Sequence, residues 1–310
     1  MIRNRGEGGR GRARGILAGA MLAVLLTGQT GRAVELRGFW ADIWGVGYKS
    51  TTDITNMVNR AVQGRYNAIF VEVLGYHDNR SIAHGAYWNS NIVPKATDII
   101  GGIDPLAVLC QQAQAQGIQV HAWLIPYRAC DVWPPLGNTL LTDHSEYFTV
   151  PRANMGGGPV AFGDPNAYYL DPGSPDVQEY LIGIVRELLA NYPIDGIHWD
   201  VIRYLQTDAG YPARTWYANS SLERFRRITG RTDTPPATGD TQWNDFRRRT
   251  ITELVRRCRA EIPSLANPRQ PLRLSAALIT WGNAPASFTS SNAYTLFQNW
   301  EEWQRLGFLD

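Results

Sequence analysis

Asp200 closes the otherwise apolar run Ile194 to Ile202 and is the residue best placed for chemistry. The run reads as a buried strand. Side chains alternate along a strand, so His198, Asp200 and Ile202 share one face while Ile197, Trp199 and Val201 share the other. A carboxylate at the carboxyl end of a hydrophobic strand is costly to bury unless it is paired or used. That pattern marks an active-site strand in an α/β barrel. The competing reading gives Asp200 a hydrogen bond to Arg203 or to a neighbouring backbone amide. Eleven Trp and fourteen Tyr are a high aromatic load. Ring-lined clefts suit sugars, whose C–H faces stack on aromatic faces, although most such rings pack protein cores.

The elements that must carry Asp200 to a strand end repeat along the chain. Leu36 to Trp44 reads as a first strand. Asp53 caps a helix whose apolar residues Ile54, Met57, Val58, Ala61 and Val62 recur at helical spacing, with Gly64 at its end. Tyr66 to Leu74 is a second strand by its β-branched and aromatic content. Gly75 to Gly102 is too long for a connector and is expected to roof a site. Asp104-Pro105 opens a helix that ends at Gly117, and Ile118 to Tyr127 is a third strand with Pro126 at its exit. Arg128 to Tyr169 reads as a second long loop, and the helix Val177 to Ala190 delivers the chain into the strand of Asp200. Beyond it come helices at Ser220 to Thr229 and Trp243 to Ile262, then a fifth strand at Leu272 to Trp281. A helix at Tyr294 to Leu306 and the entry to a sixth strand at Gly307 to Asp310 follow. Alternating strands and helices predict a parallel α/β fold. With no glycine-rich phosphate turn, a (β/α)8 TIM-type barrel is preferred to an open doubly wound sheet, truncated at about the start of its sixth strand.

Residues 1–33 stand apart from that fold. Arg3, Arg5, Arg10, Arg12 and Arg14 precede the apolar run Ile16 to Leu26, and Gly31-Arg-Ala33 offers a small-x-small site, the pattern of a secretory signal peptide cleaved after Ala33. The protein is therefore expected to be secreted or periplasmic, with residues 34–310 as the barrel. Six Arg and one Glu lie in the leader, so removing it takes the formal charge from +2 to −3. That balance argues against a nucleic-acid partner, and the arginines of the helix Trp243 to Ile262 read as a solvated face. No other stretch is long and apolar enough to span a membrane, so none is expected after cleavage. Cys110, Cys130 and Cys258 fit neither a zinc site nor a disulfide framework and read as small core residues, with Cys110–Cys130 the pair worth testing. Nothing in the sequence fixes an oligomeric state.

Glu35-Leu-Arg-Gly-Phe-Trp40, Asn67 to Val73, Asp104-Pro-Leu106, Gly117 to Trp123, Leu170-Asp-Pro-Gly173 and Asp195 to Tyr204 occur in that order. Together they resemble the bacterial glycosyl-hydrolase-like 10 family, from about Glu35 to the last residue. The resemblance implies a barrel whose sixth strand begins at Gly307 to Asp310. It also implies an exported enzyme acting on a bacterial polysaccharide, cell-wall glycan included. Glu72 stands where family members commonly have Gln, and Leu74 where many have Arg. Asp195 to Asp200 is also similar to the fourth-strand motif of chitinase-type barrels. There the essential Glu lies two residues beyond the last Asp; here Ile202 holds that place, which argues against substrate-assisted catalysis.

Glycosidic hydrolysis asks for two carboxyl groups, one protonated and one ionised. Asp200 is the first choice, because its strand end and its inward face are both right, and Glu72 the second, because it must face opposite to Val71 and Val73, where burial raises its pKa and suits it to be the acid. The alternative for Glu72 is an ion pair with Arg37 or His121. Asp42, His121, His198, Arg203 and Tyr204 are expected to hold sugar hydroxyls. Trp44, Tyr76, Trp88, Trp123, Tyr127 and Trp133 are placed around the cleft as stacking platforms. The His and Asp residues show no compact ligand spacing, so neither metal nor cofactor is expected. A non-catalytic carbohydrate-binding barrel is the second functional reading.

Overall fold

β-Branched and aromatic runs too short for helices form the strands, and runs with apolar residues three and four apart form the helices that cover them. A computed structural model describes residues 35–310, apart from 233–234, 265–268, 270 and 283–284. The expected leader, residues 1–33, lies outside the described residues. In chain order come β1 (Gly38–Ala41), α1 (Thr51–Gln63), β2 (Ala68–Leu74), α2 (Pro105–Ala115), β3 (Gln119–Leu124) and β4 (Arg128–Cys130). They are followed by α3 (Thr139–Asp143), β5 (Phe148–Val150), β6 (Tyr168–Leu170), α4 (Pro175–Asn191), β7 (Gly196–Trp199) and β8 (Tyr211–Pro212). Last come α5 (Ser221–Thr229), α6 (Thr241–Ser264), β9 (Arg273–Ala276), α7 (Asn292–Thr295) and α8 (Trp300–Arg305). Among the described residues no helix is long and apolar enough to cross a membrane.

Five strands form one sheet in the order β1-β2-β3-β7-β9, every pair parallel. The helix-bearing crossovers between successive strands are what parallel pairing requires. On one face Ile69, Val71, Val73, Val120, Ala122 and Ile197 join the apolar residues of α1, α2 and α4 in a single core. The other face carries rings. Trp40 stacks on Phe70, Phe70 on His121, and His198 meets Trp40, Phe70 and Trp123. Gly196 is required where the His121 ring passes over β7, since a Cβ there would lie 2.5 Å from His121 Nδ1.

Several sequence expectations are corrected. The stretch Arg128 to Tyr169 is not a loop: β4, β5 and β6 join β8 in a second sheet, antiparallel, in the order β4-β6-β5-β8. These strands span two or three residues, too few to show alternation. The expected helix Tyr294 to Leu306 is broken between α7 and α8, with Phe297 in the left-handed region at φ 71°. Ser50, not Asp53, caps α1, its Oγ accepting from Asp53 N at 3.1 Å. The expected entry to a sixth strand is not an assigned strand, but Asp310 N donates to Leu274 O at 2.9 Å on β9. Cys110, Cys130 and Cys258 are buried and unpaired, so no Cys110–Cys130 disulfide forms.

The basic face of α6 is not simply solvated. Arg247 is fully buried and donates to the carbonyls of Thr207, Ala209 and Thr238, an arginine used as an interior clamp. Arg248 pairs with Asp245, Arg257 with Glu179 and Arg259 with Asp310.

Candidate active site

Glu72 lies on β2 opposite in facing to Val71 and Val73, as strand alternation dictates, and is 1% exposed. One carboxylate oxygen, Oε2, accepts from Ile43 N at 3.4 Å. The other, Oε1, has no hydrogen-bond partner and lies 3.8 Å from Arg128 Nη2. Burial pushes its pKa from 4.5 up to about 7, against the pull of Arg128 and the Ile43 N–H, and the charges of Asp42 and Asp200 add to the rise. Its ionic partner is thus Arg128, not Arg37 or His121. Arg37 donates to Arg65 O, and His121 meets Gln119 Oε1 at 3.1 Å.

Arg128 falls in the stretch whose sequence shows no strand period, although its place directly after the β3 exit at Pro126 is a signal. Its Nε donates to Gly75 O at 2.9 Å, and its guanidinium lies 4.3 Å from the Tyr76 ring centroid and 5.7 Å from that of Trp44. Trp44 meets the Tyr76 ring edge to face at 6.0 Å and is 50% exposed. Tyr76 is buried beneath it. Asp42 closes the turn after β1, its Oδ1 accepting from Trp44 N at 2.9 Å and Gly45 N at 3.1 Å.

Asp200 follows β7 directly. Its N donates to Leu124 O, and its Oδ1 accepts from Val201 N at 2.7 Å. The neighbouring-amide bond read as an alternative is therefore present. Val201 has φ 49°, which ends the strand and turns Ile202 into the core, so the expected shared face of Asp200 and Ile202 does not form. Asp200 is half-buried on the wall of a cleft of about 270 Å³, with Arg203, Ile279, Trp281 and Gln298. The Arg203 guanidinium lies 5.7 Å from the Trp281 ring.

His198 and His121 lie on the ring-bearing face of the sheet and are buried. Trp40 Nε1 donates to His198 Nε2 at 3.3 Å, so the neutral ring carries its proton on Nδ1 and donates to Ser275 Oγ at 2.9 Å. Burial lowers both histidines to about 4. Trp123 stands beside His198, its indole N–H without a partner. Tyr127 and Tyr204, expected as substrate contacts, are instead core residues. Both are wholly buried, and Tyr204 packs edge-on against Phe297, with its OH 3.4 Å from Thr250 Oγ1. Trp88 is likewise buried, donating to Glu187, and Trp133 packs on Phe148.

The loop Gly75 to Gly102 and the exit of β4 also bring Asp78, His84 and Asp131 together, their ligand-type atoms mutually within 4.8 Å. Linear spacing concealed this cluster. His84 Nδ1 is engaged by Asp78 Oδ1 at 2.5 Å, and His84 Nε2 lies 3.9 Å from Asp131 Oδ2.

A parallel α/β sheet with acids, an arginine and open rings at its strand ends defines the class. The α-L-fucosidase isoenzyme 2 from Paenibacillus thiaminolyticus shares the fold, with TM-score 0.55 over 79% of this chain and 32% of its own, at 16% identity. The chain belongs to the family described as Glycosyl hydrolase-like 10, whose sequence profile matches residues 35–310. This bears out the resemblance read from the motifs. Similar relatives are the glycosyl hydrolase DigH of Escherichia coli strain K12, 32% identical over 39% of this chain, and the glycosyl hydrolase YngK of Bacillus subtilis strain 168, 26% identical over 65% of it. The matched segments span 29% and 35% of those two proteins, so the chain corresponds to about a third of their length.

Proposed function

We propose that this chain carries the acid-bearing strands of an exported glycoside hydrolase built on a (β/α)8 barrel. Its substrate is a bacterial polysaccharide, of which peptide-free cell-wall glycan is one. The observation that carries the reading is Glu72, a buried carboxyl at a strand end whose pKa is raised to about 7. Such a group is protonated near neutrality and can donate to a glycosidic oxygen, which an ordinary carboxylate cannot. Asp200, at the next active-site strand end but one, supplies the second carboxyl, as nucleophile or as base to water. Trp44 offers the sugar a ring face, and Asp42 and Arg203 hold hydroxyls. Membership of a family whose relatives carry the name glycosyl hydrolase supports the same reading.

Reducing-sugar release from a panel of bacterial glycans, by the protein and by its Asp200→Asn and Glu72→Gln variants, tests this. Hydrolysis that falls at least a hundredfold in each folded variant supports the pair, in keeping with the roughly 10²–10⁴-fold worth of general acid–base catalysis. The bond from Val201 N to Asp200 favours one second reading, a barrel that binds glycan without cleaving it. Glycan retention that survives Asp200→Asn, with no sugar released by the unaltered protein, would establish that one.

A further inference from the structure

Asp78 and His84 are buried, bonded to each other, and have no part in the scheme above. A carboxylate and an imidazole are expensive to bury for the sake of filling space. Their surroundings show what they do. The His84 imidazole lies flat on Tyr76, with ring centroids 4.0 Å apart and an interplanar angle of 8°. The Arg128 guanidinium is 4.3 Å from the same Tyr76 centroid. Two groups this close to one ring centroid cannot share a face, so Tyr76 is sandwiched between His84 and Arg128. Arg128 in turn is the cation 3.8 Å from Glu72.

Resting on the reading of Glu72 as the acid, we propose that Asp78 and His84 form a positioning relay. Asp78 fixes the plane of the imidazole, the imidazole fixes the Tyr76 ring, and Tyr76 holds the Arg128 guanidinium beside Glu72. None of the three need touch substrate. Their effect is on the pH at which Glu72 releases its proton, because Arg128 is the main charge opposing the rise that burial imposes. The groups facing Glu72 are Arg128 from β4, Asp42 and the Ile43 N–H from the β1 exit, and Asp200 from the β7 exit, together with the phenols of Tyr48 and Tyr87. Those facing His84 are Asp78, Asp131 at 3.9 Å from Nε2, and Tyr76. Arg80 and Cys130 lie near the two acids.

The test is a carboxyl ¹³C titration of the full chain labelled at glutamate, with Glu72 assigned through Glu72→Gln, in His84→Ala, His84→Phe and Asp78→Asn. With the stack gone in His84→Ala, Arg128 loosens and the Glu72 titration moves up by about one pH unit, the low end of what a neighbouring cation is worth. The alkaline limb of the kcat/KM profile moves with it. His84→Phe keeps a flat ring against Tyr76 and titrates close to the unaltered protein. Asp78→Asn moves the titration upward too. Losing a negative charge acts through space in the opposite direction, so an upward shift there reports movement of Arg128. If His84→Ala does not fold, Asp78→Asn carries the test. A Glu72 titration that stays put in the folded variants, even with a lowered melting temperature, overturns the relay. Should the protein cleave no glycan, the titration still reads the relay, so the two proposals fail separately.

Discussion

Glu72 is neutral at modest cost and charged at large cost, and this asymmetry has a consequence for stability. Its folded pKa of about 7 lies above the ordinary 4.5, so the native state holds a proton that the unfolded chain releases. Its stabilising contribution is therefore complete below pH 4.5 and lost as the pH rises through 7. Glu72→Gln resembles the protonated acid at every pH. The variant is expected to be more stable than the unaltered protein at pH 8 by about 3 kcal/mol and equal to it near pH 4.5. Denaturant titrations at the two pH values check this. Trp44 behaves differently. It is half exposed and meets the protein chiefly through the Tyr76 and Arg128 contacts. Trp44→Ala should leave the melting temperature within a few degrees, yet weaken glycan affinity roughly tenfold, the upper range for one aromatic face. Isothermal titration with an uncleaved oligosaccharide measures it.

Among the elements, α5 is tied to the start of α4 by a distant buried acid. Asp171 is fully buried before α4, and its carboxylate accepts from Ser221 N at 2.8 Å, from Ser221 Oγ and from Gly173 N at 3.0 Å. It thereby ties the first turn of α5 to the start of α4. Burial pushes its pKa up to about 6 while the Ser221 bonds hold it down. Asp171→Ala leaves two buried N–H groups without acceptors and should cost about 3 kcal/mol. Hydrogen exchange should show α5 opening before α4. In the sequence, Leu170-Asp-Pro-Gly173 stands out as a motif just before the helix Val177 to Ala190, but the reach to Ser221 spans fifty residues that no local pattern connects. The same division holds throughout. The five parallel strands and their main helices were legible because β-branched and aromatic runs, or apolar residues three and four apart, extend over a sufficient length. The antiparallel sheet was not, and Arg128 was lost with it, because a three-residue strand has no period. Glu72 and Asp200 could be placed on strand ends from alternation alone. The positive φ at Val201, which turns Asp200 onto its own backbone, could not.

For the molecule as a whole, buried histidines and buried acids pull the pH dependence of folding in opposite directions. His77, His121 and His198 are each lowered to about 4 by burial. The unfolded chain therefore binds three protons between pH 6.5 and 4 that the native state refuses, and their contribution to stability is lost as the pH falls through that window. Glu72 and Asp171 act the other way. Their folded values of about 7 and about 6 lie above the ordinary 4.5 and 3.8, so each adds stability as the pH falls toward those ordinary values. Over pH 6 to 4.5 all five windows overlap, with three groups losing and two gaining. One proton's worth of net loss remains, about 1 kcal/mol per pH unit. Stability should thus peak near pH 6.5 and decline gently into acid. Removing Glu72 as a titrating group unbalances the set. In Glu72→Gln three groups lose and one gains, so the acid limb should fall about twice as steeply. Unfolding free energies at half-unit steps from pH 7 to 4.5 measure both slopes. Equal slopes in the two proteins would mean that Glu72 is already ionised in the native state at neutral pH, and the assignment of the acid would then have to move to Asp200 or Asp42.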